Sequence, residues 1–128
     1  MDKYDIREII AAMAIKYNGD NYAVHQAFGR KQTLTDEEMK KVSGLSYVTI
    51  LDKEYPEWLK HVSSPPYVMF YYGKIESILN EEECLYRYNF TMVSEILNPR
   101  IIACESYEYL TNVLMPYFKD IIDKECVL

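Results

Sequence analysis

Histidine is almost missing from this chain, and with it most routes to enzymatic chemistry. The 128 residues include two, His25 and His61, and neither falls in a metal-ligand or triad spacing. Each reads as a surface or helix-face residue. No P-loop, paired His-Glu spacing or nucleophile elbow occurs. Cysteine is scarce as well: Cys84, Cys104 and Cys126 are odd in number and have no short paired spacing, which excludes a disulfide framework and a zinc knuckle. Cys104 and Cys126 lie in strand-like runs and read as small buried hydrophobes. An activated thiolate needs a basic neighbour that the sequence does not place beside any of the three. Glu81, Glu82 and Glu83 form a carboxylate run, but carboxylates adjacent in sequence rarely converge on one cation, so a solvated loop is expected there. No apolar run reaches the roughly 20 residues of a membrane span, and the N-terminus has no signal-peptide pattern. A cytoplasmic address, no membrane contact, no enzyme activity, no cofactor and no metal are the resulting expectations.

Positive charge is also in deficit. Lys and Arg number 14 against 20 Asp and Glu, a formal net charge of −6. That balance opposes long-range attraction to a polyanion. Two local basic pairs remain as candidate weak nucleic-acid contacts, Arg30 with Lys31 and Lys40 with Lys41, each of which also reads as solvated helix surface.

What the chain does have is tyrosine, 13 residues. Tyr71, Tyr72, Tyr86, Tyr88, Tyr107 and Tyr109 are candidate interaction residues. Tyrosines bring contact area and a hydroxyl at small entropic cost, which suits a protein interface. Stacking on single-stranded bases normally needs a positive groove as well, which the charge balance does not provide. Half-buried packing is the competing reading for all six.

With 49% hydrophobic and 27% charged residues, the chain can bury one core, and a single domain over 1–128 is expected. Residues 1–45 read as a helical lobe of three short helices. Ile6, Ile9, Ile10, Met13, Ala14 and Tyr17 recur at helical spacing after Asp2 or Asp5 as cap, and Gly19 ends the run. Asp20 caps a second helix through Phe28, stopped by Gly29. Thr35 and Glu38 form a capping box before Met39 and Val42, with Gly44 past the end. Strands are expected at Tyr47 to Leu51 and Tyr67 to Tyr72, with a short helix between them carrying Trp58, Leu59 and Val62 behind Pro56. A third strand is expected over Arg100 to Cys104, a helix over Glu108 to Lys124 interrupted by Pro116, and a strand beginning at Cys126 to Leu128.

The stretch YVTILDKEYPEWLKHVSSPPYVMFYYG carries Tyr55, Pro56, Leu59, Pro65, Pro66 and Gly73 in fixed order around an apolar strand. This order resembles the front of the Rossmann-like domain of the DNA-processing protein A (DprA/Smf) family, over about a quarter of the chain. The resemblance implies an α/β fold: N-terminal short helices, then a partial Rossmann-like, DprA-type strand-helix unit over 46–128, with 74–99 as an insertion. It implies an architectural role for the six motif residues and a link to single-stranded DNA processing or recombination. The family's Gly-Ser-Arg turn, however, is replaced here by Glu105, Ser106 and Tyr107. A carboxylate at such a turn repels the phosphate that bare N–H groups would hold. Two functions follow. One is a truncated, non-catalytic DprA relative with weakened or lost DNA binding; the other is a small acidic interaction module, of phage or mobile-element type, modulating a nucleic-acid-binding partner. The expected partner is a protein or a second copy of this chain, joined through the edge at Cys126 to Leu128.

Overall fold

The protein is described by a computed structural model over residues 4–62, 64–73, 84–87, 91–94 and 101–118. Local signals build the helical lobe much as the caps indicate. In α1 (Ile6–Lys16) the Asp5 carboxylate accepts from the Arg7 N–H, which satisfies one of the N–H groups that a helix start leaves open. Asp20 does the same for Ala23 at the start of α2 (Asn21–Gly29). Gly29 is the last residue of that helix instead of its stop. At α3 (Asp36–Lys40) the capping box closes in both directions, Glu38 N–H to Thr35 and Thr35 N–H to Glu38. Lys16 reaches across from α1 to Glu38 at 2.7 Å, and that ammonium, with the cap hydrogen bonds, holds the Glu38 carboxyl down at about 2.

Among the described residues five strands form one sheet: β1 (Tyr47–Thr49), β2 (Val68–Gly73), β3 (Cys84–Arg87), β4 (Thr91–Ser94) and β5 (Ile101–Cys104). Their spatial order is β1-β2-β5-β4-β3, and every described ladder is antiparallel. The fold is therefore mixed α/β. The segment 74–99, read as an insertion, contributes β3 and β4 to the sheet and so makes β5 an interior strand. The expected strand over Cys126 to Leu128 lies outside the described residues.

Alternation along β2 and β5 divides the core between the two faces of the sheet. Val68 and Phe70, with Ile102 and Cys104, face a cluster built with Ile10, Ala11 and Ala14 of α1 and Leu110 and Leu114 of the C-terminal helical stretch. Met69 and Ala103 point the other way, onto Val48, Tyr55 and Leu59. Phe70, Met69 and Leu59 are fully buried, each side chain contributing roughly 1.5–3 kcal/mol by leaving water. The second face is covered by the segment after β1, whose 3-10 helix (Glu57–His61) follows Pro56 as expected. Arg7 of α1 pins that segment from the helical side, donating through Nε and Nη2 to the two Asp52 oxygens at 2.6 and 2.9 Å.

The helix expected from Glu108 is present to the limit of description, and Pro116 shapes it. The chain runs through α4 (Tyr107–Tyr109), a π-helical turn (Leu110–Leu114) and α5 (Met115–Phe118). The Met115 N–H donates to the Leu110 carbonyl, five residues back. In a regular α-helix the Pro116 ring would press on the carbonyl of Asn112; the wider π turn just before it makes room. The rest of the expected helix, 119–124, lies outside the described residues.

Candidate functional site

The motif residues come together as a structural unit. Tyr55 is 2% exposed, and its hydroxyl donates to the Pro66 carbonyl at 2.8 Å, so the Tyr-Pro corner and the Pro-Pro corner are tied by one buried hydrogen bond. Leu59 is buried beneath them, and Gly73 closes β2 with φ +115°, a conformation that L side chains rarely adopt. Asn21, at the first turn of α2, grips the same segment from the other side: its Nδ2 donates to the Pro65 carbonyl at 2.9 Å and its Oδ1 accepts from the Tyr67 N–H. His25 adds a 2.8 Å contact from Nδ1 to the Tyr67 hydroxyl. Pro65 and Pro66 thus take part in this network through their backbone carbonyls.

The tyrosine candidates divide. Tyr107 lies 5.5 Å from the Phe70 ring in a tilted pair, and Tyr72 beside it has its phenol pushed up to about 12 by burial and by the Tyr107 hydroxyl. Both serve packing. Tyr71 is half-buried and faces a shallow cleft of about 640 Å³ that also takes in Arg7, Lys40 and Tyr47. Tyr109 is 40% exposed. Tyr86 belongs to β3, and Tyr88 lies outside the described residues. Among the basic candidates, Arg30 is folded back onto its own lobe, its Nη2 donating to the Tyr17 hydroxyl at 2.9 Å and to Gln32 Oε1 at 2.6 Å. Lys31 and Lys41 are exposed. The two basic pairs share no contact among the described hydrogen bonds and ion pairs.

The most distinctive chemistry sits where β5 ends, at Glu105 and Ser106. The turn between α1 and α2 packs directly on it. Gly19 has φ +79° and lies so close that a Cβ there would stand 2.9 Å from Ser106 Cα and N. Ser106 locks the junction, its hydroxyl donating to Asn18 Oδ1 at 2.7 Å and accepting from the Tyr109 N–H at 3.2 Å. Between the two turns opens a cleft of about 540 Å³, lined by Asp20 and Glu105 together with Tyr22 and Tyr109. Burial first, and the Asp20 carboxylate second, push the Glu105 carboxyl up to about 7. Among the described residues Glu105 makes no hydrogen bond or ion pair.

The sequence singled out Glu105 and Tyr109 but not Asp20, Asn18, Gly19 or Tyr22 as their neighbours. Asp20 and Gly19 carried only helix-boundary signals, and that is the part they also play; their proximity to residue 105 is purely tertiary. Among the described residues no group of three or more His, Cys, Asp or Glu side chains stands where it could hold a metal ion. No described helix is long and apolar enough to cross a membrane.

Fold and site together define a small α/β protein with an antiparallel sheet and a carboxylate-bearing cleft at the end of its central strand. Comparison with protein-family models, with curated proteins and with solved structures returns no match.

Proposed function

We propose that this chain is a non-catalytic protein-interaction module in which any nucleic-acid binding is lost. The observation that carries this reading is Glu105, a half-buried carboxyl beside Asp20 at the end of β5. A phosphate brought to this turn meets two acidic side chains and, among the described residues lining the cleft, no compensating cation, and the net charge of −6 opposes its approach from a distance. The tyrosines around the cleft supply the contact area that a protein partner uses.

The second reading, a DprA-related protein tied to single-stranded DNA processing, is supported by the Tyr55–Pro66 hydrogen bond, which gives the motif residues a shared structural purpose. A Rossmann-like unit runs parallel strands joined by crossover helices, and the antiparallel order of the described ladders weighs against it. Titration of a fluorescent single-stranded oligonucleotide at low and at physiological salt decides between the two. No binding at either salt is the expected result; tight binding that weakens steeply with salt restores the DNA-processing reading. A second copy of the chain is the simplest partner, and a monomeric mass at micromolar concentration removes it.

A further inference from the structure

We propose that the cleft between Tyr22 and Tyr109 docks a basic segment of a partner protein, admitting one arginine side chain between the two rings and onto Asp20 and Glu105. This rests on the interaction reading and assigns it a surface and a partner chemistry. Exposure is the first argument. Tyr22 is 72% exposed and Tyr109 40%, and Val113, one turn beyond Tyr109, is 48% exposed. Tyr22 and Tyr109 thus present ring surface at one opening, with Val113 exposed on the same helical stretch as Tyr109, the pattern of a contact face.

Charge complementarity selects the occupant. One Asp20 oxygen accepts from the Ala23 N–H at 3.1 Å, which leaves the second oxygen, and both oxygens of Glu105, without a partner among the described residues. A guanidinium supplies donors in a planar fork that suits carboxylates, and its face stacks on aromatic rings. Lysine offers only a compact point charge, and an anionic or purely apolar segment would cover the carboxylates without pairing them. Inward movement of the two carboxylates is limited, because the Asn18–Ser106 hydrogen bond and the close approach of Gly19 fix the turns that carry them.

Proton linkage gives an independent readout. The titratable groups that share a cavity with Glu105 are Asp20, Tyr22, Cys104 and Tyr109 on one side and Tyr67 on the other; Asp20 is its acidic neighbour. A cation in the cleft favours the ionised carboxyl, so docking releases a proton and strengthens as pH rises through the neutral range.

The test uses a fluorescein-labelled arginine-rich nonapeptide and its lysine counterpart, followed by anisotropy against the intact chain. Arginine should bind more tightly than lysine, and binding should strengthen from about pH 6 to about pH 8, spanning the Glu105 value. Tyr22→Ala, at an exposed position, and Glu105→Gln should each weaken binding at least about fivefold, while Glu54→Gln, which removes the same charge from an exposed site elsewhere, should leave it unchanged. Equal loss from Glu105→Gln and Glu54→Gln, or wild-type affinity in Tyr22→Ala, overturns the docking site while the interaction reading stands. Tight oligonucleotide binding, by contrast, overturns the reading itself.

Discussion

One face of the sheet and the turn at the end of β5 solve the same packing problem with opposite degrees of completeness. On one side Tyr55, Leu59, Met69 and Ala103 close against Val48 with the Tyr55 hydroxyl satisfied by Pro66. At the far end of β5 a carboxyl is drawn out of water, set beside another carboxylate and given no described partner. A half-buried, uncompensated acid costs stability. Consistency across levels specifies a fold, and a local departure from it marks the place where something other than folding is being served. The motif side builds the scaffold; the Glu105 junction is where function is expected.

The sharpest way to break the comparison is to damage the scaffold side. Leu59 is fully buried on that face, so Leu59→Ala should cost about 2–5 kcal/mol through lost transfer energy and the cavity left behind. Chemical denaturation measures it directly. A loss below about 1 kcal/mol would mean that the segment covering this face is loosely attached, since surface substitutions fall in that range.

The junction side has its own structural test in Gly19. With φ +79° and Ser106 backbone atoms at 2.9 Å from an added Cβ, Gly19→Ala meets both left-handed strain and a backbone clash. The conformational part alone is about 1–2 kcal/mol, so a total near 2–3 kcal/mol is expected. Asn18→Ala offers a second contrast: it removes the hydrogen bond to Ser106 and puts alanine at a φ of +53°, a left-handed conformation that asparagine tolerates better, but it adds no Cβ to the turn. A Gly19→Ala chain as stable as the wild type would show that the two turns do not pack tightly in solution.

Legibility in the sequence follows the range of the interactions. Asp5, Asp20 and the Thr35–Glu38 box act within three residues, and the sequence read all of them as helix starts. β2 and β5 were readable because buried strands are continuous apolar runs. The four-residue strands β3 and β4 were not: CLYR and TMVS have no run of apolar residues long enough to separate a strand from a loop. Their membership in the sheet comes from pairing with β5. The sequence expected an interruption of the helix at Pro116 but not its form, a π turn over Leu110–Leu114 that also carries Leu110 and Leu114 into the core. The candidate site was half legible. Glu105 stood out against a family pattern, but Asp20 and Tyr22 reach it across some 85 residues of chain, and no local spacing encodes such a meeting.

The smallest expected effect is also the one that separates the two regions most cleanly. Glu105 titrates near 7 in the folded chain and near 4.5 when exposed. Between those values the folded state binds more protons than the unfolded state, so stability falls as pH rises from about 4.5 to about 7 and is flat above. Because the side chain is partly exposed, solvent screening reduces the effect to about 1–2 kcal/mol. Glu105→Gln should remove this dependence and raise stability above neutral pH by about 1 kcal/mol, since the amide keeps the volume without the charge. Carboxylates such as Glu38 and Asp52 act with the opposite sign: ion pairs and hydrogen bonds lower them, and their contribution disappears only in strong acid. The difference in denaturation midpoints between wild type and Glu105→Gln, followed across about pH 5 to 8, therefore isolates Glu105. A wild-type curve already flat over that interval would mean that the cleft is wetter than its geometry indicates, and that Glu105 is no more strained than the settled side of the sheet.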